Sequence, residues 1–304
     1  MRSGAALPAI GTRPGIFERI QGYVALTKPR IIELLLITTV PTMFVAARHI
    51  PSPRLMALTV VGGALAAGGA NAMNMVYDRD IDALMERTKN RPLVTGAISA
   101  RAATVFAVAL EVAAFALLWS TVNPLSAVLA LSATAFYLCI YTMWLKRSTS
   151  HNIVVGGAAG GVPVLVGWSA VTGTLSWTPV VLFAIIVLWT PPHFWALAVR
   201  YRDDYAGARV PMLPSVADLR TVTQRITAYV IVLWGFSLLL APVAHLDLGY
   251  SAVALLLGAA FFALAVTLSR QPTPERAMKL FGFSITYLTV LFVAMGLAAV
   301  VRVH

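Results

Sequence analysis

Long uninterrupted apolar runs decide what this chain of 304 residues can fold into. A helix needs about 20 apolar residues to cross the hydrocarbon core of a bilayer. Runs of about that length can be placed at residues 31–47, 55–77, 102–121, 125–145, 152–171, 178–199, 224–245, 249–269 and 279–301. Because the runs are continuous, the spans are helices and not the alternating strands of a barrel. The sequence therefore predicts an all-α, polytopic membrane protein with nine transmembrane helices.

The composition and the first 30 residues agree with that prediction. Hydrophobic residues make up 59% of the chain and its mean hydropathy is +0.81, which excludes a soluble globular domain. Residues 1–30 read as a separate segment that lacks the pattern of a removable signal peptide. In this segment Ile16, Ile20 and Val24 recur at helical intervals, which predicts a short interfacial helix before a single transmembrane domain of residues 31–304.

The basic residues are distributed unevenly between the two sides of the predicted membrane. The formal net charge is +11. With the N-terminus inside, all lysines and arginines except Arg48, Arg54 and Arg302 fall on the inner segments. This bias follows the positive-inside rule and predicts a cytoplasmic N-terminus and an outer C-terminus. We therefore assign the charge to orientation and to contact with anionic lipid or substrate phosphate, and not to nucleic acid.

Two connections are long enough to carry a functional site. Residues 78–101 and 200–223 follow the second and sixth predicted spans, and both are cytoplasmic in this topology. Together they hold seven of the 12 acidic residues in the chain. Catalytic chemistry is therefore expected at the cytoplasmic mouth, between these two loops.

The stretch NAMNMVYDRDIDALMERTKNRP, residues 71–92, places polar side chains at helical spacing at the end of the second span. Asn74, Asp78 and Asp82 recur every four residues and share one face of a helix. Oxygen ligands in this arrangement suit Mg²⁺, which binds through one or two carboxylates and keeps water or phosphate oxygens in its shell. The alternative is a set of solvated loop charges, although uncompensated carboxylates are costly at a membrane boundary.

Basic residues follow these carboxylates and recur after the fourth span. Acids and bases together describe a site for a metal diphosphate better than a site for a bare cation. The side chains placed to meet an anionic substrate are Arg87, Lys89, Arg91, Lys146, Arg147 and Asn152. The bases among them can also be ordinary positive-inside anchors.

The stretch TPPHFWALAVRYRDDYAGARVPMLPS, residues 190–215, combines a broken helix with a second group of carboxylates. Its two prolines interrupt the sixth span, and such a break is tolerated where the backbone is buried in protein or lines a cavity. His193 is then either a ligand or acid/base group, or a hydrogen-bond partner between helices. Asp203 and Asp204 are expected to face the first carboxylates across the mouth, and because they are adjacent only one would face a metal.

These stretches, together with LTKPR, YTMWLKRSTSHN, GWSAVTG and VPMLP, resemble the UbiA superfamily of intramembrane prenyltransferases and, within it, the haem O synthase family. The similarity extends from about residue 20 to residue 300. It implies a helical bundle around a central cavity that is open to the cytoplasmic side. It also implies Mg²⁺-dependent transfer of the farnesyl group of farnesyl diphosphate to a vinyl group of haem B, giving haem O and diphosphate.

The resemblance implies roles for individual residues. The groups implied in catalysis at the diphosphate are Asn74, Asp78, Asp82, Arg87, Lys89 and Arg91. The implied metal ligands are Asp78 and Asp82, with Asp203 or Asp204 on a second ion. The implied substrate-binding residues are Lys146, Arg147, Asn152, His193, Arg202 and Tyr205. His193 would meet the haem iron or orient the porphyrin. The second motif lacks the usual two aspartates four residues apart, which leaves the ligands of the second ion open.

The implied partners are farnesyl diphosphate, haem B and membrane lipid, with haem A synthase or an oxidase-assembly protein as a partner for the product. The membrane would be the bacterial plasma membrane or the mitochondrial inner membrane. Two alternatives stay open from the residues. One is a UbiA-type enzyme that prenylates an aromatic quinone precursor, and the other is a transporter, in which charge would gather at the membrane midplane.

Overall fold

A computed structural model describes residues 16–301, apart from the side chains of residues 30, 31 and 34–36. Within this range the chain forms helices and no β-strand. The first half of the predicted 1–30 segment and residues 302–304 lie outside the described residues.

The helices follow the predicted spans. The first four are α1 (Ile16–Thr27), α2 (Pro29–Ala47), α3 (Pro53–Leu84) and α4 (Ala100–Thr121). The next is α5 (Pro124–Ala135), which continues through a π-helix (Phe136–Leu145) into a last turn, α6 (Lys146–Ser148). The others are α7 (Asn152–Thr172), α8 (Trp177–Arg200), α9 (Arg202–Gly207), α10 (Leu213–Val216), α11 (Leu219–Val243), α12 (Leu248–Arg270) and α13 (Pro274–Val301).

Eight helices between residues 16 and 301 are long and apolar enough to cross a membrane. They are α3, α4, the continuous helix Pro124–Ser148, α7, α8, α11, α12 and α13. The first predicted span corresponds to α2, a helix of 19 residues in which the side chains of residues 30, 31 and 34–36 are not described. The all-α membrane fold is thus confirmed, whereas the ninth span and the orientation of the chain stay predictions.

The long helices close into a ring. In ring order the contacts run α3, α4, α5, α7, α8, α11, α12, α13, α2 and back to α3, with further contacts of α2 with α7 and of α8 with α13. A Cβ on Gly167 of α7 would lie 2.7 Å from the carbonyl oxygen of Thr39 in α2. A Cβ on Gly69 of α3 would lie 2.9 Å from the carbonyl oxygen of Ala107 in α4. Glycine at these crossings lets the helix backbones approach closely, as membrane helices require.

The short helix α1 packs beside α3 and α4 at one end of the ring. Its Leu26 is buried, and the ring of Tyr23 lies 4.9 Å from that of Phe106 in α4. Ile16 and Phe17 are exposed. An exposed apolar face on a short helix suits the interfacial position that the sequence predicts.

The loop after the second span is shorter than predicted. The sequence places the end of this span at residue 77, but α3 continues to Leu84. Ile81 is buried in an apolar cluster, and Asp78 and Asp82 are paired with Lys146 and Arg91, which stabilises these additional turns. Residues 78–84 are therefore helix and the loop begins at Met85.

The fourth span contains a π-helix, Phe136–Leu145, that no sequence pattern indicated. π-Helical turns are rare and are often found at functional sites. This one brings Thr142, and Lys146 directly after it, into contact with polar side chains of α3.

Candidate active site

The predicted helical face of Asn74, Asp78 and Asp82, which we call the polar stripe, is buried inside the ring. The three residues are 3%, 0% and 3% exposed, respectively. The Asn74 amide donates to Asp78 Oδ2 at 2.8 Å and to the Thr142 hydroxyl at 3.1 Å. The four-residue spacing therefore produces one continuous polar surface at the end of α3.

Three bases from three different segments bind the polar stripe. Lys28, between α1 and α2, donates to Asn74 Oδ1 at 2.8 Å. Lys146 binds Asp78 Oδ2. Arg91, in the loop after α3, donates to Asp82 Oδ2 at 2.6 Å. The site thus joins acids and bases as the sequence predicts, although only Arg91 and Lys146 were among the predicted bases.

Lys28 is the functional candidate that the sequence reasoning missed. It lies in the left-handed region of the backbone, at φ 52°, immediately before Pro29 begins α2. Burial, and the nearby positive charges of Arg91 and Lys146, lower the pKa of Lys28 to about 7. Within LTKPR, the signal was a lysine placed directly before the proline that starts a helix. An anion bound here would offset the excess of these three bases over the two carboxylates that they face.

The polar stripe fits a metal ion that also takes ligands from its substrate. Asp78 Oδ1 is buried and has no hydrogen-bond partner, and it lies 3.8 Å from a guanidinium nitrogen of Arg147. Among the residues that the structure describes, no group of three or more His, Cys, Asp or Glu side chains could hold a metal by itself. Two carboxylates and an amide suit Mg²⁺, which completes its shell with water and phosphate oxygens.

The other residues predicted to meet an anionic substrate differ in how close they lie to the polar stripe and in how exposed they are. Arg147 makes paired hydrogen bonds with Asp80, at 2.7 and 2.8 Å, on the outer side of α3. Lys89 forms an exposed ion pair with Glu86. Asn152 is fully buried beside Lys146, and its Oδ1 has no hydrogen-bond partner. Of this group Asn152 is a buried neighbour of the stripe, whereas Lys89 faces solvent.

The two long loops meet, as the sequence predicts. Arg87 donates from Nη2 to the hydroxyl of Tyr205 at 3.0 Å, and its guanidinium lies 5.4 Å from the centre of the tyrosine ring. Burial raises the pKa of Tyr205, so the phenol stays neutral and can accept this bond. Below the pair, Ile81 and Met85 belong to the same buried cluster as Tyr205 and Met212.

The remaining candidates of the second loop are less enclosed. Arg202 and Asp203 are exposed and Asp204 is half-buried, all in the short helix α9. Within residues 16–301, no ion pair joins Asp203 or Asp204 to a base. Their assignment to a second ion stays a prediction.

His193 is buried at the contact between α8 and α13. Its ring is stacked between Trp189, at 4.2 Å, and Phe281, at 4.5 Å. Its Nδ1 lies 2.6 Å from the Ser284 hydroxyl, which itself donates to the carbonyl of Phe281. The serine oxygen therefore accepts from Nδ1–H, which leaves Nε2 with a free lone pair. The structure thus shows the interhelical hydrogen bond that the sequence left open, and it leaves a role toward haem as a prediction.

Known proteins match this chain over almost its full length. A model of the UbiA prenyltransferase family matches residues 35–301. The protoheme IX farnesyltransferase of Streptomyces avermitilis is 52% identical over 96% of this chain and 97% of that protein. The corresponding protein of Frankia alni is 51% identical over 93% of this chain and 99% of its own length.

Solved structures share the fold at low sequence identity. A digeranylgeranylglyceryl phosphate synthase superposes with a TM-score of 0.77 at 18% identity, over 93% of this chain and 99% of that one. A UbiA homolog from Archaeoglobus fulgidus bound to GPP and Mg²⁺ gives a TM-score of 0.62 at 16% identity, over 92% and 99%. The resemblance seen in the sequence is therefore confirmed. The chain belongs to the UbiA prenyltransferase family and, within it, to the protoheme IX farnesyltransferases.

Proposed function

We propose that this protein transfers the farnesyl group of farnesyl diphosphate to a vinyl group of haem B, with a hydroxyl group added from water, giving haem O and diphosphate. The observation that carries the proposal is the buried polar stripe with three bases bound to it, in a chain 52% identical to a protoheme IX farnesyltransferase. Carboxylates and bases that converge on one buried surface suit a metal diphosphate.

In this proposal Asp78 and Asp82, with Asn74 beside them, hold Mg²⁺. Asp78 Oδ1 supports that assignment, because this buried carboxylate oxygen accepts no hydrogen bond and has only the Arg147 guanidinium 3.8 Å away, and such an oxygen suits a cation. When bound, Mg²⁺ would supply positive charge to the diphosphate as the allylic C–O bond breaks. A second ion at Asp203 or Asp204 is part of the same proposal.

The protein's own bases bind and orient the diphosphate. Lys28, Arg91 and Lys146 lie against the polar stripe and donate to phosphate oxygens, which stabilises the charge that develops on the leaving group. Arg87 approaches from the loop and is oriented by Tyr205. The proposed roles of Lys89, Arg147, Asn152 and Arg202 lie further from the reacting bond, in retaining the anionic substrate.

Aromatic side chains shield the allylic cation from water. Tyr137 and Tyr141, in the π-helix, are stacked at 5.5 Å, and Tyr141 packs against the buried cluster that contains Ile81. On the acceptor side, His193 orients the porphyrin. We place the polar end of the ring at the cytoplasmic face of a bacterial plasma membrane or a mitochondrial inner membrane, with haem A synthase or an oxidase-assembly protein receiving the product.

The test is direct. Purified protein is incubated with haem B, farnesyl diphosphate and Mg²⁺, and the porphyrin is followed by mass spectrometry. We expect the haem mass to rise by one hydroxyfarnesyl unit, and to stay unchanged in EDTA. A protein that binds farnesyl diphosphate but never changes the mass of haem would contradict the proposal. A parallel reaction with a quinone precursor tests the alternative acceptor.

A further inference from the structure

Each member of the polar stripe is bound to a base from a different part of the chain. Lys28 precedes α2, Arg91 lies in the loop after α3, and Lys146 directly follows the π-helix. These are the bases that the proposed function assigns to the diphosphate, so the following inference rests on that function. These three basic side chains can therefore bind either the oxygen atoms of the polar stripe or those of the substrate diphosphate.

Burial makes this competition strong. The side chains of Asp78 and Asp82 are 0% and 4% exposed, and those of Lys146 and Arg91 are 16% and 21% exposed. Removing one partner of a buried ion pair leaves an uncompensated charge, which is costly. Diphosphate that binds without metal would take bases from buried carboxylates. Metal that binds without diphosphate would release bases that have no other partner.

We infer that the carboxylates of the polar stripe act as internal competitors of the diphosphate, and that ligand binding is an exchange of partners. Lys146 and Arg91 pass from Asp78 and Asp82 to phosphate oxygens, while the carboxylates turn to Mg²⁺. These charged groups all have partners when neither ligand or both ligands are bound, whereas one ligand alone leaves some of them without a partner. Diphosphate and metal therefore bind with strong positive coupling, and each ligand alone binds weakly.

The exchange of partners predicts that loss of a stripe carboxylate strengthens diphosphate binding in the absence of metal. A residue that only binds metal would have no such effect. Substituting Asp78 by Asn removes a metal ligand, but it also releases Lys146 for the diphosphate. With Lys28 protonated, the three bases and two carboxylates carry a net charge of +1, and the substitution raises it to +2. One unit charge about 5 Å from a phosphate, at an effective dielectric constant of about 20, corresponds to at least about a tenfold change in affinity. Asp78→Asn should thus bind diphosphate more tightly than the wild type in the absence of metal.

The experiment measures binding, without turnover. Inorganic pyrophosphate and a non-hydrolysable farnesyl thiodiphosphate are titrated calorimetrically into the full-length protein, in EDTA and in Mg²⁺. We expect the wild type to bind at least about 100-fold more tightly in Mg²⁺ than in EDTA. Asp78→Asn should bind about tenfold more tightly than the wild type in EDTA, with little further gain from Mg²⁺. Asp82→Asn, which frees Arg91, should behave in the same way. It provides the test if Asp78→Asn does not fold.

The matched control is Asp218→Asn, which removes one negative charge from an exposed helix cap. Asn caps a helix as well as Asp does, so this variant changes the net charge and little else. Its affinities should stay within twofold of the wild type. For the wild type, Mn²⁺ binding followed by electron paramagnetic resonance, with and without pyrophosphate, measures the coupling without any substitution.

The outcomes separate the two proposals. If the wild type binds pyrophosphate in Mg²⁺ but Asp78→Asn and Asp82→Asn bind it no better in EDTA, the exchange is wrong and the diphosphate site stands. Mn²⁺ binding that is equally tight with and without pyrophosphate also overturns the exchange. If the wild type binds neither ligand in Mg²⁺, the proposed function itself fails.

Discussion

Arg87 donates a hydrogen bond to the hydroxyl of Tyr205, 118 residues further along the chain, and its guanidinium lies 5.4 Å from the centre of the same ring. This pair joins the loop after α3 to the short helix α9, directly beyond the end of the polar stripe. The position of Arg87 over the site therefore depends on a residue that belongs to a different loop.

The Arg87–Tyr205 contact predicts a change in substrate affinity. Tyr205→Phe keeps the ring and removes the hydrogen bond, and a bond to a charged donor contributes about 1.5–3 kcal/mol. We expect the KM for farnesyl diphosphate to rise about tenfold, whereas the KM for haem B stays within twofold. Steady-state kinetics with each substrate varied in turn measures this. Equal changes in the KM values for the two substrates would indicate that the substitution disturbs the loops in general and does not act through the position of Arg87.

Asp82 should be indispensable for turnover. Asp82→Ala removes one of the two carboxylates of the polar stripe, and we expect activity to fall by at least about 1,000-fold while the protein stays folded. Asp78→Ala should have the same effect. The measurement is haem O formation by mass spectrometry, with thermal unfolding as the check on the fold. Activity within a few-fold of the wild type would remove either residue from the metal site.

Lys28 should contribute to diphosphate binding and little to stability. Lys28 is half-buried and lies near the positive charges of Arg91 and Lys146, so Lys28→Met relieves repulsion while it removes a donor to the substrate. We expect the affinity for farnesyl diphosphate to fall at least about tenfold, with an unfolding temperature no lower than that of the wild type. The exposed Arg19 in α1 offers the control, because Arg19→Met should change neither quantity. A large loss of stability in Lys28→Met would assign the lysine to the fold instead.

His193 can be tested with a substitution that separates packing from haem binding. His193→Gln keeps a donor for Ser284 and removes the imidazole with its free Nε2. We expect haem B affinity, followed by the Soret band, to fall about tenfold without a change in farnesyl diphosphate affinity. Ser284→Ala is the control, since it removes only the hydrogen-bond partner. Unchanged haem binding and rate in His193→Gln would end the proposed role.

Two glycines of α7 should respond differently to the same substitution. A Cβ on Gly167 would lie 2.7 Å from the Thr39 carbonyl oxygen, whereas a Cβ on Gly160 would find its nearest neighbour, Ile186, at 3.9 Å. Gly167→Ala should destabilise the protein by about 1–3 kcal/mol because it forces α2 and α7 apart. Gly160→Ala should be neutral or slightly stabilising. Thermal unfolding of the two variants in one detergent gives the comparison, and equal melting temperatures would contradict the close approach of the helices.

The parts of the site that sequence could predict are those set by local spacing. Asn74, Asp78 and Asp82 share a face because four residues make about one helical turn, and this holds wherever the helix packs. The apolar runs likewise predicted the spans, because the length of a run is also a local property of the sequence. The loop that we predicted to begin at residue 78 begins at Met85, because the apolar run ends at residue 77 whereas buried polar contacts continue α3 to Leu84.

The other parts depend on contacts between distant segments. Lys28 meets Asn74 across 46 residues and Arg87 meets Tyr205 across 118, and neither pairing leaves a periodic pattern in the sequence. The π-helix gave no signal either, because its residues are as apolar as those of an ordinary span. A single sequence therefore predicted which face of α3 is polar and named Arg91 and Lys146 as nearby bases, but it did not predict that Lys28 reaches this face.

The π-helix makes the length of the fourth span as important as its composition. Each residue of a helix turns the chain by roughly a quarter of a turn, so removing one residue between Phe136 and Leu145 would rotate everything after it by about that much. Lys146 would then point away from Asp78, although every remaining side chain in the span kept its chemical character. In this region a deletion of one residue would be more harmful than most substitutions, and natural variants of the enzyme should differ here in sequence but not in length.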